Sequence, residues 1–161
     1  MSDRRPRILL ADDDQMILLG LGKLLAPELE VVGTVTGGRE LLAAAESLRP
    51  DLIISDVEMP GLDGIEATRR LQAAVPDVKV LILSIHTEPS SVRAAFAAGA
   101  RGYLPKSSIF EELARAVCEV LADRFYVSPA VARAVVETLY VPEPAGESLT
   151  PREEDILHLM A

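Results

Sequence analysis

The sequence predicts an α/β fold in which helices cover both faces of a doubly wound, five-stranded parallel sheet. Through residue 125, short apolar runs alternate with stretches of helical length, which is typical of repeated strand–helix units. The run Val-Leu-Ile-Leu at 80–83 is continuously apolar, as expected for a strand buried on both faces. A hydrophobic content of 49% over 161 residues supports a packed core and excludes a disordered chain.

Each predicted strand is followed by a predicted helix. The strands are predicted over 7–11, 30–35, 51–55, 78–84 and 102–104. The helices are predicted over 16–26, 39–48, 65–75, 90–98 and 109–121. Asp14 is a candidate N-cap of the first helix, and Gly99 is a candidate terminator of the fourth, because these residue types favour those positions.

After residue 125 the pattern changes. Ser128 followed by proline predicts the start of a helix over 129–140, and the prolines and glycine between 142 and 146 break it. The capping box Thr-Pro-Arg-Glu at 150–153 then begins another helix. We therefore predict three segments: a main domain over 1–125, a helical linker over 126–147 and the start of a further domain over 148–161.

Charge and composition exclude several classes of protein. The net charge is −9, so the residues present are a poor match for nucleic acid. The single cysteine, Cys118, cannot form an internal disulfide, and we predict it on the buried face of the fifth helix. There is no apolar run of about 18 residues and no signal-peptide pattern. We expect a cytoplasmic protein without a membrane partner.

Polar side chains that could bind a ligand or take part in a reaction follow four of the predicted strands. In open α/β sheets, ligands bind beyond the carboxyl ends of the strands. Asp12 and Asp13 follow the first strand, and Asp56 ends the third. Ser84 ends the fourth strand, and Lys106 follows the fifth. The predicted fold brings all five residues to one edge of the sheet.

These residues form a complete set for making an aspartyl phosphate. Three neighbouring carboxylates raise one another's pKa unless a cation joins them, and an oxygen-only site suits Mg²⁺. A carboxylate can attack a phosphoryl group, and the protein then mainly positions groups and neutralises oxygens. Asp56 is the candidate nucleophile, with Mg²⁺, Lys106 and Ser84 stabilising the phosphoryl oxygens.

Residues 1 to about 125 resemble the receiver domain of bacterial two-component response regulators. The resemblance is carried by the Asp12-Asp13 pair, by Asp56 within the segment DVEMPGLDG at 56–64, by Ser84 and by Tyr-Leu-Pro-Lys at 103–106. Pro105 precedes the lysine, whereas many receivers have proline after it. The segment Leu-Thr-Pro-Arg-Glu at 149–153 resembles the opening of a LuxR-type helix-turn-helix domain, and together the two parts point to the NarL/FixJ family.

The resemblance implies a flavodoxin-like, CheY-like fold with strand order 2-1-3-4-5, and it assigns the site residues. Asp56 would be the phosphoacceptor. Mg²⁺ would be held by Asp13, by Asp56 and by the backbone carbonyl of Glu58, with Asp12 acting through water. Lys106 would pair with the phosphoryl group, and Ser84 with Tyr103 would be the switch pair.

The resemblance also implies partners. The phosphodonor would be a sensor histidine kinase. Phosphorylation would control transcription through a DNA-binding domain that lies mostly beyond Ala161, so that promoter DNA is a partner of the full-length protein alone. The protein would accept a phosphoryl group without being a turnover enzyme.

Two other classes compete with this interpretation. Asp56 and Glu58 faintly resemble the paired acids of haloacid-dehalogenase-like phosphatases, which would make the protein an enzyme. A receiver-like binding module that is never phosphorylated is the second alternative. Steady phosphatase turnover would favour the first, and failure of Mg²⁺-dependent labelling would favour the second.

Two further hypotheses concern tuning and assembly. Glu58 and His86 lie two residues after Asp56 and Ser84, so we expect both to border the site and to set the dephosphorylation rate. The first helix carries more apolar residues than one core-facing stripe can bury, which predicts a homodimer. The candidate faces are the first and fifth helices, or the fourth helix with the fifth strand and helix. Tyr103 lies near the second face, so a phosphorylation-dependent dimer would favour that one.

Overall fold

Strands and helices alternate along the chain in a computed structural model that describes residues 4–139. The strands are β1 (Arg7–Ala11), β2 (Glu30–Val35), β3 (Leu52–Asp56), β4 (Lys79–Ser84), β5 (Gly102–Pro105) and β6 (Tyr126–Val127). The helices are α1 (Gln15–Leu25), α2 (Gly38–Leu48), α3 (Gly64–Ala74), α4 (Pro89–Ala97), α5 (Ile109–Leu121) and α6 (Pro129–Leu139). The predicted break at 142–146 and the predicted helix start at 150–153 lie outside the described residues.

The strands form one parallel sheet in the order β2-β1-β3-β4-β5-β6. The first five have the expected order, but the predicted number of five strands was wrong. β6 lies in the segment predicted as a helical linker, and it pairs with β5 so that Tyr126 is opposite Gly102 and Val127 is opposite Tyr103. A strand of two residues is too short to show the alternation of apolar and polar residues from which strands are predicted.

Two apolar layers hold the helices against the sheet. Side chains alternate between the faces of each strand. Leu9, Ile53 and Val80 point to the layer covered by α2, α3, α4 and α6. Ile8 and Ile54 point to the layer covered by α1 and α5. β3 is buried along its whole length, which confirms the expectation of a sheet covered on both faces.

The helix ends largely follow the local sequence. The Asp14 side chain caps α1 by accepting a hydrogen bond of 2.9 Å from the Met16 N–H. Gly99 ends α4 with a φ of +115°, a conformation that favours glycine, and its N–H donates to the Phe96 carbonyl over 3.0 Å. Both predicted caps are confirmed.

The predicted burial of Cys118 is wrong. The thiol is exposed, because the buried stripe of α5 is formed by its neighbours Leu113, Ala116, Val117 and Val120.

Within residues 4–139, the helices are all too short or too polar to cross a bilayer.

Candidate functional site

Four parallel strands bring the predicted site residues to one edge of the sheet. Asp12 directly follows β1, Asp56 is the last residue of β3, and Lys106 directly follows β5. Ser84 is the last residue of β4. Asp12 and Asp56 are buried, with 1% and 6% of their surface exposed, whereas Asp13 is exposed. The edge therefore combines two desolvated carboxylates with one that faces solvent.

The Lys106 ammonium joins the two buried carboxylates. Its Nζ lies 2.8 Å from Asp12 Oδ2 and 3.1 Å from Asp56 Oδ2. Burial alone would lower the pKa of Lys106, but its ion pairs with the two carboxylates outweigh burial, and the net shift is upward. The ammonium therefore remains charged and offsets part of the negative charge in the site.

The Asp56 carboxyl has a raised pKa. Burial is the main cause, and the charge of Asp12 adds to it. Lys106 and the Glu58 backbone amide oppose the shift without cancelling it. Because one lysine does not compensate both carboxylates, the site favours an additional cation.

The three aspartates could hold a metal ion. One carboxylate oxygen from each of Asp12, Asp13 and Asp56 can be chosen so that all three lie within 4.8 Å of one another. Asp12 Oδ2 is buried without a well-aligned hydrogen bond, and its contact with Lys106 is an ion pair. Asp12 Oδ1 accepts from the Asp14 N–H over 2.9 Å, which fixes the carboxylate plane. A hard cation is the partner that such an oxygen set fits.

The β3–α3 loop turns tightly behind Asp56. The Gly64 N–H donates to the Val57 carbonyl over 2.7 Å. A Cβ at Gly64 would lie 2.0 Å from the Asp56 backbone oxygen, so the close approach requires glycine. Asp63 then caps α3 by accepting from the Glu66 N–H over 2.8 Å. The segment 56–64 thus fixes the backbone that presents the Asp56 carboxylate.

Ser84 and Tyr103 are linked through the backbone of His86. The Tyr103 hydroxyl donates to the His86 carbonyl over 2.6 Å, and the His86 N–H donates to Ser84 Oγ over 2.9 Å. The Tyr103 side chain is fully buried. Burial raises the pKa of Tyr103, although the nearby Ser84 hydroxyl opposes the shift. The phenol therefore remains a neutral donor facing the β4–α4 loop.

Glu58 and His86 lie at the border of the site and pair with each other. His86 Nε2 contacts Glu58 Oε1, and His86 Nδ1 lies 3.6 Å from Glu88 Oε2. The hydrogen bond with Glu58 is the main reason why the pKa of His86 is raised. The Glu58 side chain thus pairs with His86 at the border of the site.

Sequence reasoning missed the contribution of Glu88. It precedes α4 and lies two residues after His86, and its carboxylate faces Nδ1 of the imidazole, whereas Glu58 contacts Nε2. The closeness of Glu88 to His86 in the sequence could have indicated this contact. The shape of the loop that brings the two side chains together could not be predicted.

Comparison with known proteins identifies the family. The model of the response regulator receiver domain matches residues 8–118. The response regulator GacA of Pseudomonas aeruginosa is 34% identical over 160 residues, which cover 96% of this chain and 75% of GacA. The nitrate/nitrite response regulator NarL of Escherichia coli is 35% identical over 168 residues, covering 100% of this chain and 78% of NarL.

A solved structure gives the same result. The LuxR-family two-component response regulator from an Aurantimonas species has a TM-score of 0.81 and 33% identity, over 84% of this chain and 99% of that chain. The matched receiver region contains Asp12, Asp13, Asp56, Ser84 and Lys106. On these grounds the chain belongs to the two-component response regulators of the NarL/FixJ type.

Proposed function

We propose that Asp56 is the phosphoacceptor of this response regulator and that a sensor histidine kinase supplies the phosphoryl group. The observation that carries the proposal is the position of the Asp56 carboxylate, which lies at the strand edge beside Asp12 and is paired with Lys106. A carboxylate oxygen attacks phosphorus, the O–P bond forms, and the P–N bond of the donor phosphohistidine breaks. The Lys106 ammonium pairs with the phosphoryl oxygens as they approach.

Mg²⁺ is the cofactor that the donor set fits. The Asp12, Asp13 and Asp56 carboxylates and the Glu58 backbone carbonyl would hold the ion, with Asp12 acting through water. When bound, it neutralises charge on the phosphoryl oxygens. The incompletely bonded Asp12 Oδ2 and the exposed Asp13 support this assignment, since Mg²⁺ needs oxygen ligands and retains several waters.

Ser84 and Tyr103 form the switch. A phosphoryl group on Asp56 offers the Ser84 hydroxyl a charged acceptor, which binds a donor more strongly than a neutral one. Because Ser84 and Tyr103 both bond to the backbone of His86, a movement of Ser84 changes the environment of Tyr103. The state of Asp56 is thereby transmitted to β5.

The face formed by α1 and α5 is the proposed homodimer surface. A groove between these helices is lined by apolar side chains that include Leu24, Phe110 and Leu121, and 88% of Phe110 is exposed. The competing face is occupied by this chain itself, because β6 pairs with the outer edge of β5 and α6 packs beside α4. In a two-fold symmetric dimer, the α1–α5 faces of the two copies would pack against each other and cover Phe110.

The regulated output is transcription. The chain spans about three quarters of the length of GacA and NarL. Residues 1–125 act as the receiver domain, 126–147 connect the domains, and 148–161 begin a LuxR-type DNA-binding domain. In this scheme the protein accepts one phosphoryl group and binds promoter DNA as a full-length protein, without catalytic turnover.

Intact mass after incubation with acetyl phosphate and Mg²⁺ tests the proposal. We expect the mass of one added phosphate, and no gain when the metal is chelated. Asp56→Asn should not be labelled, whereas the matched control Asp77→Asn, at an exposed position, should be labelled normally. Labelling mapped to another residue would contradict the phosphoacceptor assignment, and continuous release of phosphate would favour a phosphatase.

A further inference from the structure

Glu112 on α5 binds the segment that carries β6 and the start of α6. Its Oε1 accepts a hydrogen bond from the Tyr126 hydroxyl, and its Oε2 accepts one of 2.9 Å from Ser128 Oγ. Ser128 is fully buried. A single carboxylate therefore uses both oxygens to hold two side chains that lie next to α6, and hydrogen bonds to a charged acceptor are the stronger kind.

Ser128 connects three elements through three different groups. Its hydroxyl donates to Glu112 on α5, and its N–H donates to the Tyr103 carbonyl on β5 over 3.2 Å. Its own carbonyl accepts from the Ala132 N–H over 2.9 Å within α6. The first turn of α6 is thereby fixed to the strand that carries Tyr103.

The apolar side of α6 belongs to the same packed cluster as the Tyr103 ring. Val131 and Val135 are buried there together with Phe96 of α4. A ring that leaves such a cluster leaves unfilled space, because protein interiors are packed to the density of crystals. The inward position of Tyr103 therefore stabilises the docking of α6, and docking of α6 stabilises the inward ring to the same extent.

We propose that α6 is the first output element of the switch and that Glu112 is the positioning residue that keeps it docked. One state has Tyr103 inward and α6 docked, and the other has Tyr103 outward and α6 released. Phosphorylation favours the first state, and this part rests on the proposed function. The chain that follows α6 then receives the change directly from its own receiver.

Hydrogen exchange of residues 129–139, followed by mass spectrometry on the 161-residue chain, tests the role of Glu112. Without phosphodonor, Glu112→Ala should speed exchange there roughly tenfold, since hydrogen bonds to a charged group are lost. Glu112→Gln retains an acceptor oxygen and should restore part of the protection. The neighbouring variant Glu111→Ala, at an exposed position, should match wild type. Unchanged exchange in Glu112→Ala would overturn the proposal.

Two further measurements test the coupling. Tyr103→Leu should speed exchange over 129–139 without any phosphodonor, and unchanged exchange would show that α6 is not coupled to Tyr103.

With acetyl phosphate and Mg²⁺, wild type should gain protection over 129–139 and Glu112→Ala should not, although both gain the same mass. An equal gain of protection in Glu112→Ala would overturn the proposal. Absence of the mass gain would instead contradict the phosphoacceptor assignment, and the comparisons without phosphodonor would still test the roles of Glu112 and Tyr103.

Discussion

At the scale of single residues, Lys106 determines the charge balance of the site. It lies within 3.1 Å of two buried carboxylates, and 17% of its own side chain is exposed. Removing one partner of a buried ion pair leaves a charge without compensation, which commonly costs about 3 kcal/mol. We expect Lys106→Ala to lower the free energy of unfolding by roughly this amount, as measured by urea denaturation without metal.

Added Mg²⁺ should recover part of the stability that Lys106→Ala loses, because the cation compensates the same carboxylates. Lys23→Ala is a matched control, since Lys23 is exposed on α1. It should change neither the stability nor its response to Mg²⁺. A fully stable Lys106→Ala protein would show that Asp12 and Asp56 do not need the ammonium.

Asp56 is expected to destabilise the fold when it ionises. A carboxyl with a raised pKa stabilises the folded state below its ordinary pKa, and this contribution is lost as the pH rises through the raised value. Asp56→Asn should therefore be more stable than wild type near neutral pH, while Lys106 keeps its pair with Asp12. The difference should disappear in acid. Thermal unfolding across this range without metal measures it, and a variant less stable than wild type near neutral pH would contradict the sign.

Glu58 and His86 border the site as a pair, so they should control access of water to phosphorylated Asp56. We expect the double variant Glu58→Ala, His86→Ala to lose its phosphate several-fold faster than wild type. The decay of the phosphorylated mass after removal of phosphodonor measures the rate. Glu46→Ala, at an exposed position on α2, should decay like wild type, and an equal rate in the double variant would exclude the tuning role.

The positions of the site residues could be predicted because the ends of parallel strands share one edge. Asp12, Asp56 and Lys106 meet there for that reason alone. The role of Glu112 could not be predicted, since an acidic residue on a helix surface looks the same whether it faces water or two hydroxyls. The exposure of Cys118 was missed because this small apolar residue lies next to the buried positions of α5. The sequence does not show where the buried stripe of the helix ends.

At the scale of elements, helix and strand boundaries followed from caps and from apolar runs. The predicted helix over 16–26 is found as α1, and its cap is the predicted Asp14. β6 was missed because pairing with β5, rather than any local propensity, makes Tyr126 and Val127 a strand. Its position also bears on the proposed dimer surface: the sequence favoured the face of α4, β5 and α5 for a phosphorylation-dependent dimer, and β6 and α6 pack against that face.

The proposed dimer surface on α1 and α5 leads to a prediction for Phe110, the exposed aromatic residue on that face. Phe110→Ser should shift the protein towards the monomer, since removal of an apolar side chain from a dimer surface weakens association. Analytical ultracentrifugation with phosphodonor measures the change. Ile85→Ser is a matched control because Ile85 is 68% exposed but lies on the β4–α4 loop. Equal loss of dimer in both variants would contradict the assignment.

At the scale of the whole molecule, charge predicts how the 161-residue chain behaves towards DNA. With a net charge of −9, the phosphate backbone repels the chain and no counterion release favours binding. We expect no specific retardation of promoter DNA at physiological salt, with or without phosphodonor. Specific retardation would place DNA recognition within these residues and would contradict the charge argument.

The pairing of β6 with β5 has a consequence for aggregation. An outer strand with free N–H and C=O groups is a template for strands of other molecules, and proteins protect such edges. A chain ended at residue 125, the domain boundary suggested by sequence, would lose β6 and uncover this edge at Gly102 and Tyr103. It would also uncover the apolar positions covered by Val131 and Val135. We therefore expect β6, as a very short edge strand, and α6 after it to limit edge-to-edge association of receivers.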